Sequence, residues 1–445
     1  MTDTPRILLI AFAVGVVSYF LGEAVFLLSL FGFICFLIYR NSDAEDRKFI
    51  LTVLILAFLL RSAFAVIFHG ANFLKGYHGI SGDDLLYTVK SWGLVFKWEG
   101  KPYGWVADLA SNSPKFGMNP FTYLLAFFYK VFGFHPVSSK LINCIIGTLI
   151  GWVAYLLGSE MFDRRTARIS MFIVIFYPSI MRWSIANLKD PLIMLLFMVC
   201  AYILITASKR RIELWKVLLL VFSAWLLYDF TPRLYFILIA VCLGLLGVLR
   251  LFEALRSQRT RVAALAVAAL ILFAALYYFC CVDPASLIKA IYVCEEKQGL
   301  MAKADYAGYY FYSGRFMENL SMGVVSMPEF INIVYKSVVY FMLTPLPWQF
   351  TSPERLLAFP QMALWYLMLF LSFFGFLKLS VRCRGASLMA GALLAIGITA
   401  SAMAEGNIGS AFRHRDMFTP FFAIFSAAII SDLIPSKGTT TGAGV

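Results

Sequence analysis

The feature that most constrains this chain is a succession of apolar runs, each about 15 to 24 residues long and most cut off by lysine or arginine. A helix needs about 20 such residues to cross a bilayer. Inside hydrocarbon every backbone N–H and C=O must find its partner within the protein. Spans are expected at 7–21, 24–39, 49–68, 138–161, 169–186, 191–208, 214–230, 234–250, 262–281, 361–378, 386–403 and 417–434. Two further stretches, 121–134 and 327–344, are broken by Lys or Pro and read equally as interfacial or re-entrant helices. The fold class is therefore an all-α integral membrane protein of about 12 transmembrane helices. Composition agrees: 61% of residues are hydrophobic and 14% charged, where soluble domains run near half and a quarter. A soluble enzyme, a disordered chain and a disulfide-stapled secreted domain are excluded. No cleavable signal is visible, because the first apolar run leads almost directly into the second.

The basic residues fix sidedness. Arg40/Arg47/Lys48, Arg164/Arg165/Arg168, Lys209/Arg210/Arg211/Lys216, Arg250/Arg256/Arg259/Arg261 and Lys378/Arg382/Arg384 fall on every second connection, with Arg6 and Lys437 on the same side. The positive-inside rule places them, and both termini, in the cytoplasm. The net charge of +13 thus reports orientation and anionic headgroups, and no nucleic-acid partner is expected. The chain divides into an N-terminal transmembrane hairpin and its cytoplasmic turn (1–48), a core with a long extracytoplasmic loop 69–137 (49–250), C-terminal helices with a second long loop 282–360 (251–435), and a disordered Gly/Thr-rich tail (436–445). Both long loops, expected to carry short interfacial helices, face outward. Loops this long in a compact protein usually carry function, so chemistry is expected outside, where a substrate arrives on a lipid carrier rather than as a nucleotide sugar.

Three outer clusters stand out. Gly82-Asp83-Asp84-Leu85-Leu86-Tyr87 sets two adjacent carboxylates at the membrane surface. One suits deprotonation of a hydroxyl while the other binds a metal or orients its neighbour. The plainer alternative is a helix N-cap at Asp84. Asn187-Leu188-Lys189-Asp190-Pro191 is either a capped turn or an anion site, since Lys189 is costly at that boundary without an anion. Arg182, about two turns earlier, faces the same way. The last outer connection reads Glu405-Gly-Asn407-Ile-Gly409-Ser-Ala-Phe-Arg413-His414-Arg415-Asp416; Arg413 and Arg415 either snorkel or hold phosphate oxygens. Arg233 beside Asp229 reads first as an intramembrane salt bridge. The ring-rich stretch Tyr306–Tyr312 reads first as a headgroup anchor. Cys280 or Cys281 is a candidate partner for Cys294 in an oxidising compartment. No HExxH, P-loop, Rossmann or G-x-S-x-G pattern occurs.

The order of elements from Leu59 onward carries more information than any single motif. Leu59-Leu60-Arg61 is followed by Asp83-Asp84 with Tyr87, then Gly100-Lys101-Pro102-Tyr103, then Asn119-Pro120-Phe121. Tyr129-Lys130-Val131-Phe132-Gly133 and Tyr155-Leu156-Leu157-Gly158 come next, before Phe162-Asp163-Arg164-Arg165. Over about 130 residues this resembles the GT-C superfamily of polyprenyl-phosphate-sugar-dependent membrane glycosyltransferases. Protein O-mannosyltransferases, the aminoarabinose transferases that modify lipid A, and Rgt-type lipopolysaccharide sugar transferases are among its members. An extra hairpin, 1–40, precedes the usual first span. The resemblance implies an inverting transfer of sugar from an undecaprenyl- or similar polyprenyl-phosphate donor to a glycan, lipid or protein acceptor. The bacterial inner membrane is the implied setting, with the site extracytoplasmic. It implies a catalytic base at Asp83 or Asp84, with Asp83 slightly preferred. Beside it, the residues themselves offer Lys189, Asp190, Arg413, Arg415, Arg182, Arg233 and Tyr103 as substrate-binding candidates. Some relatives use a divalent metal (Mg or Mn), which would fall on Asp83 or Asp84, and others use none. Two rivals remain: a flippase or transporter of lipid-linked sugars, and an O-antigen-type polymerase or ligase. Transporters often show repeats and midplane charges; here no repeat shows and the charges cluster at the outer ends, which favours the enzyme. The acid pair speaks against a polymerase, whereas Arg413-His414-Arg415 keeps it open.

Overall fold

The computed structural model describes residues 22–74, 81–101, 119–230, 284–303, 308–349 and 359–434, with Gly244 and Gly247. Among them the secondary structure is helical, apart from one isolated bridge between Gly308 and Asn407. Among the described residues, six helices are long and apolar enough to cross a membrane. They are α1 (Glu23–Asn41), α2 (Ala44–Phe73), α5 (Lys140–Met161), α8 (Asp190–Lys209), α13 (Phe359–Arg382) and α14 (Arg384–Ala404). A seventh is the pair α15 (Ile408–Arg415) and α16 (Thr419–Leu433), bent by 58°. Expected spans at 7–21, 234–250 and 262–281 lie outside the described residues.

One expected span is corrected. The run 169–186 is two helices, α6 (Arg164–Phe176) and α7 (Pro178–Trp183). Pro178 lacks an N–H, and it drives Tyr177 into extended backbone at φ −65°, ψ 123°. The run 121–134 is α4 (Pro120–Phe132), at 13 residues only ~20 Å long. Its ends are written locally: Asn119 Oδ1 accepts from the N–H groups of Phe121 and Thr122, Pro120 occupies the first turn, and Gly133 closes the helix at φ +94°. The remaining helices are α3 (Gly82–Trp98), α9 (Leu214–Phe230), α10 (Pro284–Lys303), α11 (Gly314–Ser321) and α12 (Met327–Leu343).

The chain forms two compact units. The first comprises 1–199, 225–230 and 430–445; the second comprises 200–224 and 231–429.

In the first unit α5 is the central element, buried along nearly its whole length. Gly147-x-x-x-Gly151 and Gly158 let α6 and α7 approach its backbone. A Cβ on Gly151 would lie 2.1 Å from Ile175 Cγ1, and one on Gly158 2.7 Å from Ser170 Oγ. Small residues at such contacts are how membrane helices gain packing without a hydrophobic drive between them. At the basic end of these helices Asp46 is buried, bonded by Tyr155 Oη at 2.6 Å and by Arg168. Arg164 holds Asp43 and Glu45 there, each at 2.6 Å. Helix α1 stacks Phe31 on Phe58 of α2, and Glu23 at its start accepts Ser138 Oγ at 2.6 Å.

In the second unit, buried Trp365 of α13 meets Phe422 of α16 with ring centroids 5.1 Å apart, and its Nε1 donates to Met342 O of α12 at 2.8 Å. Gly375 lies so close to α16 that a Cβ would fall 2.0 Å from Phe425 O.

Candidate functional site

The first unit gathers two of the three outer clusters. Helix α3 is capped by Ser81, whose hydroxyl accepts the Asp84 N–H. The cap is therefore Ser81, three residues before Asp84. That corrects the N-cap alternative and releases the Asp84 carboxylate for another task. Asp84 is fully buried, and its two oxygens lie 2.7 and 2.8 Å from the Nζ of Lys140, which is equally buried. Its Oδ1 also accepts the backbone N–H of Asn187 at 2.8 Å. A carboxylate removed from water persists only when its lone pairs are met in this way. Asp83, next in line, is half-buried.

The turn after α7 is held on every side by polar groups. Asn187 Nδ2 donates to Thr88 Oγ1 at 3.1 Å and to Ser139 Oγ at 3.0 Å. Ser139 Oγ in turn meets Tyr129 Oη at 3.0 Å. Asn143 Nδ2 donates to the carbonyls of Ala186 and Leu188. Asp84 and the turn around Asn187 thus share one buried network. Lys189 is half-buried, Asp190 is buried at the start of α8, and Arg182 on α7 is exposed with its guanidinium 5.2 Å from the Trp183 ring. At the far end of α3, Glu99 binds Lys101 and Lys130 at 2.6 and 2.8 Å. Those two hydrogen bonds pull its pKa down to about 2.

The second unit holds the third cluster, and its motif explains itself. Asn407 Oδ1 caps α15 by accepting from Gly409 N at 2.7 Å and Ser410 N at 3.3 Å. Gly406 passes so near α10 that a Cβ would fall 2.1 Å from Gln298 O. Its carbonyl accepts from Tyr309 N at 2.7 Å. Glu405 is buried and bonded by His414 Nδ1 and by Ser410 Oγ. Burial acts to raise its pKa, but His414, Ser410 and Lys297 outweigh it and hold the carboxyl below its ordinary value. Arg415 turns inward: Nη1 donates to Thr344 O at 2.6 Å and to Met342 O at 3.0 Å, and the guanidinium lies 4.6 Å from the Trp365 ring. Arg413 is half-buried.

Tyr103, Arg233, Cys280 and Cys281 lie outside the described residues, as does the Asp229 side chain. Sequence reasoning missed Lys140, Asn143 and the buried partners Thr88, Ser139 and Tyr129. Lys140 had a signal: an ionisable residue opening a membrane span demands a named partner. Among the described residues no three His, Cys, Asp or Glu side chains gather where they could hold one metal ion. Lys140 also occupies both Asp84 oxygens, so these residues do not form a donor set.

No curated protein and no solved structure matches the chain. Residues 120–279, which are 160 of its 445, match the family model described as dolichyl-phosphate-mannose-protein mannosyltransferase. That segment begins at α4 and runs through the α5–α6 packing, the broken α6–α7 helix and the Asn187 turn. The match covers less than half of the chain, and over that segment the protein is similar to this family of membrane glycosyltransferases.

Proposed function

We propose that the protein takes a sugar from a polyprenyl-phosphate carrier and passes it to an acceptor hydroxyl outside the cytoplasm, by direct displacement with inversion. The observation that carries this reading is the buried tie from Asp84 to Lys140 and the Asn187 N–H. It supports the reading by fixing Asp84, next to Asp83, against the turn that carries Lys189, the kind of preorganisation that displacement of a phosphate leaving group requires. Asp83 is the base that accepts the acceptor proton, and Asp84 is the brace that orients it. Lys189 and Arg182 meet the departing phosphate from one segment, with Asp190 at the start of α8 behind them. On the second unit Arg413 is proposed as an anion ligand in its own right, and Arg415 secures its helix. Arg233 and Tyr103 complete the proposed binding set. No step is routed through a metal.

The chain would cross the membrane about twelve times in a bacterial inner membrane, with both termini cytoplasmic and the site on the opposite face. The acceptor is a glycan, lipid or protein of the cell envelope. The test replaces Asp83 by Asn in the purified, folded enzyme. Transfer should fall by ~10²–10⁴ while the affinity for polyprenyl phosphate is kept. Near-wild-type transfer would remove Asp83 as the base.

A further inference from the structure

We infer that Arg61, deep in α2, is a positioning residue for the transfer site. It acts by holding the break between α6 and α7 and the turn that follows. Arg61 is fully buried, in a helix long and apolar enough to span the membrane. A guanidinium there is costly, so its contacts call for a reason.

Its three donated bonds go to neutral oxygens rather than to a carboxylate. Nη2 donates to Ile175 O at 2.6 Å, Nε to Ser184 Oγ at 2.9 Å, and Nη1 to Ala57 O at 3.3 Å. The first two acceptors flank the six-residue helix α7. Ile175 belongs to the last turn of α6, where the carbonyls run out of helical partners because Pro178 stops the helix. Ser184 is the residue on which α7 ends. One planar fork therefore spans α7 and fixes both its ends.

Helix α5 is cut to fit this contact. A Cβ on Gly147 would lie 2.3 Å from Ser184 Cβ and 3.1 Å from Arg61 Nε. Beyond Ser184 the chain runs directly into the held turn, where Asn143 takes the carbonyls of Ala186 and Leu188 and Asp84 takes the Asn187 N–H. Arg182 and Lys189 bracket this stretch. Arg61 touches none of the reacting groups, yet it sets where the chain that carries them begins.

The functional half of this inference rests on the reading of the 182–190 segment as part of the transfer site. The experiment uses full-length enzyme in detergent with Arg61→Gln, Arg61→Lys and Ser184→Ala. Two quantities are measured: peptide-level hydrogen exchange, and the kcat for transfer from a polyprenyl-phosphate sugar. Arg61→Gln should raise exchange across 184–190 while the 148–161 segment keeps wild-type protection, and should lower kcat by ~10–100-fold, the worth of a charge-assisted bond. Arg61→Lys reaches one acceptor but not both, and should recover part of that loss. Ser184→Ala removes only one bond and should fold even if Arg61→Gln does not; a ~3–10-fold fall in kcat is expected. Wild-type exchange across 184–190, or wild-type kcat, in the folded variants would overturn the inference. Lys189→Ala separates the two readings. Unchanged affinity for polyprenyl phosphate in that variant removes Lys189 as an anion ligand, and leaves the exchange and kcat results on Arg61 to stand or fall by themselves.

Discussion

At the scale of single residues, the Asp84–Lys140 pair separates architecture from chemistry. Both partners are fully buried, so removing one leaves the other as an uncompensated charge. Lys140→Met should destabilise the protein by about 3–5 kcal/mol, read as a lowered midpoint of thermal unfolding in detergent. Adding Asp84→Asn removes the stranded charge and should recover most of that loss, because two neutral groups of similar size carry little desolvation cost. Transfer should remain impaired in the double variant. If stability fails to recover, the pair contributes through some contact other than their mutual charge. The acid itself was legible in the sequence, as two adjacent carboxylates entering a helix. Its partner was not, because Lys140 lies 56 residues away and opens an apolar run. Linear reading assigns such a lysine to the polar lip of a span. In the same way Arg413 and Arg415 look equivalent two residues apart, yet α15 turns Arg415 toward the carbonyls of Met342 and Thr344. Helical geometry divides them, and only the contact partners say which faces inward.

At the scale of elements, hydropathy located most helices because length and apolarity are what a bilayer selects. It could not see the break at Tyr177-Pro178, since a proline inside an apolar run changes the mean very little. The break matters more than the run, for it creates α7 and the turn on which Asn187 and Lys189 ride. The glycines of α5 carried a signal that sequence reasoning passed over: Gly147-Thr-Leu-Ile-Gly151 has the spacing that lets two membrane helices touch. At Gly151 any side chain must displace Ile175, with a Cβ at 2.1 Å from its Cγ1. Gly151→Leu should therefore destabilise the first unit by at least ~1–3 kcal/mol, the usual cost of overpacking. Gly32→Leu on α1, where a Cβ would meet nothing within 4 Å, is the control. Equal thermal midpoints in the two variants would show that the α5–α6 approach tolerates a larger separation.

At the scale of the whole molecule, sidedness decides which chemistry the chain can reach. The basic connections carry Arg164 and Arg168, which in the structure tie α6 to Asp43, Glu45 and Asp46 at the start of α2. By the positive-inside rule the acid pair, the Asn187 turn and the loop around Arg413 are expected on the connections opposite those basic clusters. On that expectation the acid pair and the Asn187 turn would meet a polyprenyl-linked donor presented outside the cytoplasm rather than a cytoplasmic nucleotide sugar. Cysteines placed at exposed positions test this directly, in a background with the native thiols replaced. Arg315→Cys lies in the second long loop, just inside α11, and Arg211→Cys lies between α8 and α9; both sites are exposed. In intact cells an impermeant thiol reagent should label Arg315→Cys and leave Arg211→Cys unlabelled until the membrane is opened. The opposite pattern would put the acid pair and its turn in the cytoplasm, where the donor's sugar would have to be presented before its carrier is flipped. The reaction would then be assigned to the inner leaflet, with acceptors drawn from the cytoplasmic pool.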